Sequence, residues 1–174
     1  MSLKPPISAK DHLQGNKDAV IELVEYGDYQ CPHCGRAYPI VKKIQKELGD
    51  KLKFVFRNFP LAEIHPQAVR AAIASEAAAL QGKYWEMHDI IFENQDYLSE
   101  DAFLQFAEEL ELNVHQFNKD MAKKTLLEKT EADFESGIRS GVNATPTFFI
   151  NGEKYNKGWE GDRILQFMKA QQLY

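Results

Sequence analysis

Nothing in the 174 residues approaches the ~18 consecutive apolar positions that a membrane-crossing helix needs. Residues 1–17 lack the apolar centre of a secretory leader. Positive charge is not in surplus either: 21 Lys and Arg stand against 26 Asp and Glu, a net charge of −5, which excludes a global basic field for nucleic acid or anionic lipid. Lys42, Lys43 and Lys46 read as a solvated helix face. Cysteine is limited to two residues, and with no second pair the chain cannot assemble the usual four ligands of a structural zinc site; His12, His65, His88 and His115 are scattered. No metal is expected. What remains, 44% hydrophobic and 27% charged, suits one compact unit with a true core and room for an inserted subdomain. As written, the chain reads as cytoplasmic, or as extracytoplasmic if Met1-Ser2-Leu3 replaces a removed signal.

The two cysteines are Cys31-Pro32-His33-Cys34, and their surroundings matter as much as their spacing. Residues 20–26 alternate and branch like a strand, 27–30 read as the turn out of it, and a helix opens near Pro32 and runs to Leu48. Three residues apart on a first helical turn, two Cα atoms lie about 5 Å from each other, within the range a disulfide tolerates. A helix N-terminus offers unpaired N–H groups and the positive end of the macrodipole, both of which stabilise a thiolate at Cys31. Cys31 is therefore the expected nucleophile and Cys34, one turn inward, the resolving thiol. Pro32 suits the first helical position, and His33 is expected to add donor capacity or positive charge beside the sulfur. A purely structural disulfide is the weaker explanation, because closing a four-residue loop gains only about 2 kcal/mol.

Residues 51–59 form a second alternating, aromatic-rich strand ending at Pro60, which completes a right-handed βαβ unit with two parallel strands. From Pro66 to Arg139 every signal is helical. Ser99 before Glu100 and Asp101 looks like an N-cap, and Asn113 with Gln116 like a capping box. Phe117, Met121, Leu127, Phe134 and Ile138 continue as one long or broken helix, with their spacing assigning them to a core between helices. Residues 145–150 are a short strand, Asn151-Gly152 a hairpin turn, 153–157 the returning strand, and 161–173 a last helix. The fold class is α/β.

Three segments together resemble one family. Val24 to Cys34 is similar to the active-site stretch of the DsbA-like thiol-disulfide oxidoreductases of the thioredoxin superfamily, Gln81 to His88 to a stretch of their helical insert, and Gly141 to Thr147 to their cis-proline loop. The resemblance implies a thioredoxin fold with an inserted all-helical subdomain: residues 1–61 and 141–174 forming the thioredoxin-like part, residues 62–140 the insertion. It implies a cis Thr145-Pro146 bond beside the dithiol, with Thr145 and Pro146 guiding a substrate peptide to Cys31. It implies too that Glu25 lies beneath the site and affects proton transfer; from the residues alone, burial and a solvated strand end stand about level. Asp28 reads as a turn residue. Tyr29, Trp85 and Trp159 are candidates for lining a groove, with the core the safer expectation for Trp85.

The expected activity is disulfide exchange with protein or small-thiol substrates, with no cofactor beyond the Cys31-Cys34 pair, glutathione open as a redox partner, and a separate, unidentified partner to recycle the dithiol. Two rivals remain. A glutathione-dependent isomerase or transferase on a related scaffold is disfavoured by the intact Cys-x-x-Cys, and a non-catalytic peptide-binding or chaperone module would require that Cys31→Ser leave function intact.

Overall fold

The structure is a computed structural model in which residues 1–171 are described. Strands β1 (Leu13–Gly15), β2 (Ile21–Gly27), β3 (Leu52–Asn58), β4 (Thr147–Ile150) and β5 (Glu153–Lys154) form one sheet in the order β1-β3-β2-β4-β5. β2 and β3 are parallel, from Ile21 opposite Leu52 to Gly27 opposite Asn58. They are joined by α1 (Pro32–Leu48), as a βαβ unit requires. β4 runs antiparallel on the free side of β2 and turns into β5 through Asn151 and Gly152, both at positive φ (48° and 84°). The returning strand stops at Lys154 rather than at residue 157, and Tyr155 closes the turn through its N–H to Phe148 O and its hydroxyl to Gly158 O. β1 gave no sequence signal: three residues with one apolar side chain show no alternation, and pairing with β3 alone makes them a strand.

Alternation along the strands splits the core in two. Ile21, Leu23, Phe54, Phe56, Phe148 and Ile150 face α1, the last helix α7 (Arg163–Gln171) and most of the helices between β3 and β4. Val24, Tyr26, Val55 and Phe149 face the other way, onto Phe134 and the N-terminal Leu3 and Ile7. Of the expected last helix, 161–173, Leu173 lies outside the described residues.

Between β3 and β4 come α2 (Ala68–Ala79), α3 (Tyr84–Glu93), α4 (Glu100–Glu109), α5 (Val114–Asp120) and α6 (Lys124–Arg139). Ser99 caps α4, its hydroxyl accepting the Ala102 N–H at 3.0 Å. Asn113 caps α5, but the box stays half formed: Gln116 reaches forward to Asp120, while the Asn113 N–H goes to Gln81. The expected helix through 117–138 is broken between Asp120 and Lys124. Phe117 and Met121 are core, whereas Leu127 and Ile138 are 37% and 55% exposed, against the expectation from their spacing. The reason is that α6 turns a polar stripe inward. Ser136 bonds Tyr26 (2.7 Å), Asp133 accepts from the Asn58 backbone and side chain (3.1 and 3.2 Å), and Lys129 joins Asp133 (2.9 Å) to Glu76 (3.4 Å). These buried groups need partners, and that need outweighs apolar periodicity. Lys42 and Lys43 lie on the solvated face of α1 and pair there with Asp89 (2.9 Å) and Asp162 (2.7 Å).

Candidate active site

Chain direction puts the C-terminal ends of β2 and β3 and the start of β4 at one rim of the sheet, and the dithiol sits there. Cys31 is the N-cap of α1, extended at φ −71°, ψ 123°, with Pro32 behind it at the first helical position. Its side chain occupies the place where a capping oxygen ordinarily accepts the first free N–H groups. Both cysteines are free thiols and both are buried, Cys34 completely. The Cys31 Sγ lies 3.7 Å from the carbonyl oxygen of Thr145, and the N–H of Asp28 points at Cys34 Sγ from 3.4 Å.

The two thiols are driven apart. Hydrogen bonding from the Cys34 thiol, aided by Thr145 and by the backbone N–H groups of Cys34 and His33, lowers Cys31 from an ordinary 9.0 to about 5 against the opposing effect of burial. Burial, and then its role as donor to Cys31, pushes Cys34 well above its ordinary value. The Thr145 hydroxyl has no partner in good hydrogen-bonding geometry, yet it stands close enough to Cys31 to stabilise charge on the sulfur. The Thr145-Pro146 peptide is cis.

Glu25 is buried, 3% exposed, with Oε2 unpartnered, so of the two readings left open by the sequence the structure takes burial. Desolvation raises its pKa from 4.5 to about 8, with repulsion from Cys31 adding to it, and its charge in turn raises Cys34. The His33 imidazole is exposed and takes a hydrogen bond from Arg36 (2.6 Å), while the His33 backbone N–H is among the groups that stabilise the Cys31 thiolate. Tyr29 lines no groove: it is 1% exposed, packed between Phe56 and Phe92 with its hydroxyl 2.9 Å from His88 Nδ1. Trp85 and Trp159 are half-buried against the core.

Sequence reasoning missed the residues that hold the turn. Asp28 is the expected turn residue, since its Oδ1 accepts the Gln30 N–H at 2.7 Å. Its buried Oδ2 also accepts the Leu61 N–H (2.9 Å) and pairs with His65 Nδ1 (2.7 Å). Gln30 Oε1 accepts the Gln67 N–H (2.7 Å), and Gln95 Nε2 donates to the carbonyls of Tyr29 (2.9 Å) and Cys31 (2.7 Å). Every position from 28 to 31 is thus tied to residues that follow β3. Partners 33 to 66 residues away leave no local pattern to find.

A family profile described as Thioredoxin matches residues 8–170. Among solved structures, oxidised BdbD from Bacillus subtilis superposes with a TM-score of 0.82 at 26% identity over 95% of both chains. A thioredoxin-like oxidoreductase from Silicibacter pomeroyi does so with a TM-score of 0.80 at 25% identity, covering 96% of this chain and 95% of that one. The fold of α-DsbA1 from Wolbachia pipientis is also similar, with a TM-score of 0.77 at 24% identity over 95% and 92% of the two chains. Among curated relatives, the Na(+)/H(+) antiporter NhaA 1 of Mycolicibacterium vanbaalenii is 38% identical over 170 residues, 97% of this chain, and the chain spans only 28% of that protein's length. With an extended cysteine N-cap, a fully buried partner thiol, a proline loop against the sulfur and five helices set between β3 and β4, the chain belongs to the thioredoxin family and has a DsbA-like fold.

Proposed function

We propose that the chain is a thiol-disulfide oxidoreductase that oxidises thiols of protein substrates through Cys31 and Cys34. The observation that carries this is the placement of the two sulfurs, one at the N-cap of a helix beside the Thr145 carbonyl, the other fully buried one turn along. In the oxidised pair a substrate thiolate attacks Cys31 Sγ. The Cys31–Cys34 bond breaks, its electron pair leaves on Cys34, and Cys34 takes a proton, for which the buried Glu25 carboxyl is the titratable neighbour. A second substrate thiolate then attacks the substrate sulfur of the mixed disulfide and expels Cys31 as a thiolate. The substrate leaves with a disulfide and the protein holds the two electrons. A thiol held near 5 is a good leaving group, and stabilising the reduced state makes the disulfide oxidising. The Thr145 carbonyl, facing the sulfur, is the backbone group offered to an extended substrate, with Pro146 shaping the loop behind it.

The dithiol carries the electrons itself and needs no metal, nucleotide or flavin, while glutathione disulfide, itself reduced to two glutathione thiols, or a dedicated electron-accepting partner returns the pair to the oxidised state. An oxidising pair works as an oxidant only outside a reducing, glutathione-rich compartment. Among the described residues no helix is long and apolar enough to cross a membrane, so the antiport named for the longer curated relatives is not proposed for this chain.

The test is the redox equilibrium of Cys31-Cys34 against glutathione, read by alkylation and mass, with Cys31→Ser as control. A potential well above the thioredoxin value of about −270 mV, toward −120 mV, is expected; a value at or below −270 mV would make the protein a reductase, and a pair that never cycles would remove the activity.

A further inference from the structure

Gln95 opens a short 3-10 turn (Gln95–Tyr97) between α3 and α4, 64 residues beyond Cys31 in the chain. Its side-chain amide donates one N–H to the carbonyl of Tyr29 at 2.9 Å and the other to the carbonyl of Cys31 at 2.7 Å. The Cys31 carbonyl already receives the first bond of α1, from the Gly35 N–H at 3.0 Å. Gly35 itself is in ordinary helical space, where glycine is disfavoured, but a Cβ there would collide with the Gln95 side-chain oxygen. Glycine at 35 and glutamine at 95 fit as seat and plug.

The arrangement matters because of what caps the helix. At an ordinary N-cap the side-chain oxygen pins the first turn. Here the N-cap side chain is the reacting thiol, and no side-chain cap bond fixes Cys31. The alignment of the sulfur over the N–H groups of His33 and Cys34 then depends on whatever holds residues 29–31 from outside. The Cys31 N–H to Asp28 O bond (3.1 Å) and the Gln30 bonds to Asp28 and Gln67 supply part of that restraint, and Gln95 supplies two bonds more, one of them to Cys31 itself.

We propose that Gln95 is a positioning residue for the dithiol: its amide clamps the two carbonyls that flank Gln30, keeps the Cys31 sulfur over the N-terminus of α1, and is admitted by the glycine at 35. The proposal rests on Cys31 being the reactive thiol. Loosening the clamp leaves the Tyr29 carbonyl without its donor and lets the sulfur drift from the N–H groups that stabilise its charge.

The experiment follows thiolate formation by ultraviolet absorbance across pH in the full chain, for wild type, Gln95→Ala, Gly35→Ala and the double variant. Cys34 titrates far above Cys31, so the acid limb reports Cys31 alone. Each single variant is expected to move that limb upward by about one pH unit, a tenfold loss of thiolate between the two midpoints, and the double variant no further than either. Additive shifts would overturn the proposal, as would an unmoved titration in Gln95→Ala, even with a lowered Tm, which would leave Gln95 a structural residue only. If truncation unfolds the chain, Gln95→Glu keeps the size without a donor and adds negative charge; the same upward move, or a larger one, is required. Cycling the same proteins with glutathione separates the two claims: a wild type that never cycles ends the oxidoreductase reading, while the titration still judges Gln95.

Discussion

Two ionisable residues at the site pull in opposite directions as pH changes. Cys31, held near 5 in the reduced fold and near 9.0 otherwise, gives the reduced protein stability that is fully present above 9 and lost as pH falls through 5. Alkylation by iodoacetamide should therefore reach half its limiting rate near pH 5 at Cys31 and leave Cys34 untouched at neutral pH, and Cys34→Ser should trap a mixed disulfide visible by mass. Glu25 has the other sign. With its pKa raised from 4.5 to about 8, its contribution is present below 4.5 and is lost as pH rises through 8. Glu25→Gln is expected to be more stable than wild type to urea near pH 8, with the difference fading toward pH 4.5. The same variant should slow exchange on the order of tenfold or more, because Cys34 loses its proton donor and acceptor. A buried carboxyl that lowers stability yet speeds turnover is the pairing to look for; equal melts at both pH values would place Glu25 in solvent.

Among the elements, those the sequence announces and those it conceals differ in where their bonds go. Ser99 and Asn113 were legible as caps because a cap is satisfied within three residues. Ser99→Ala should cost about 1 kcal/mol in chemical denaturation, through the freed Ala102 N–H, and leave the redox midpoint unmoved, since α4 makes none of the contacts to residues 28–31. The hairpin at Asn151-Gly152 was equally plain. α6 was not. Its apolar stripe predicted burial of Leu127 and Ile138, but its inward face is chosen by Tyr26, Asn58 and Glu76, polar groups on β2, β3 and α2 that no local pattern connects to it. β1 escaped notice for the same reason, as a strand defined by its neighbour.

At the scale of the whole molecule, redox state and stability are linked. A fold that stabilises the Cys31 thiolate favours the reduced form, so the reduced protein is expected to melt at a higher Tm than the oxidised one at neutral pH, and the gap should narrow as pH falls toward 5. An oxidised form that melts at the same temperature as the reduced form, or above it, would contradict the proposed direction of transfer. The sequence by itself determined the βαβ unit, the dithiol at its turn, the hairpin and the helical stretch between β3 and β4, because hydrophobic period, capping and turn chemistry all act within a few residues. Only the tertiary structure decided that Glu25 is buried, that the His33 ring bonds Arg36, and that Asp28, Gln30 and Gln95 lock the active-site turn. Burial and hydrogen-bond partners are set by what the chain brings together across tens of residues, and a local pattern carries no record of that distance.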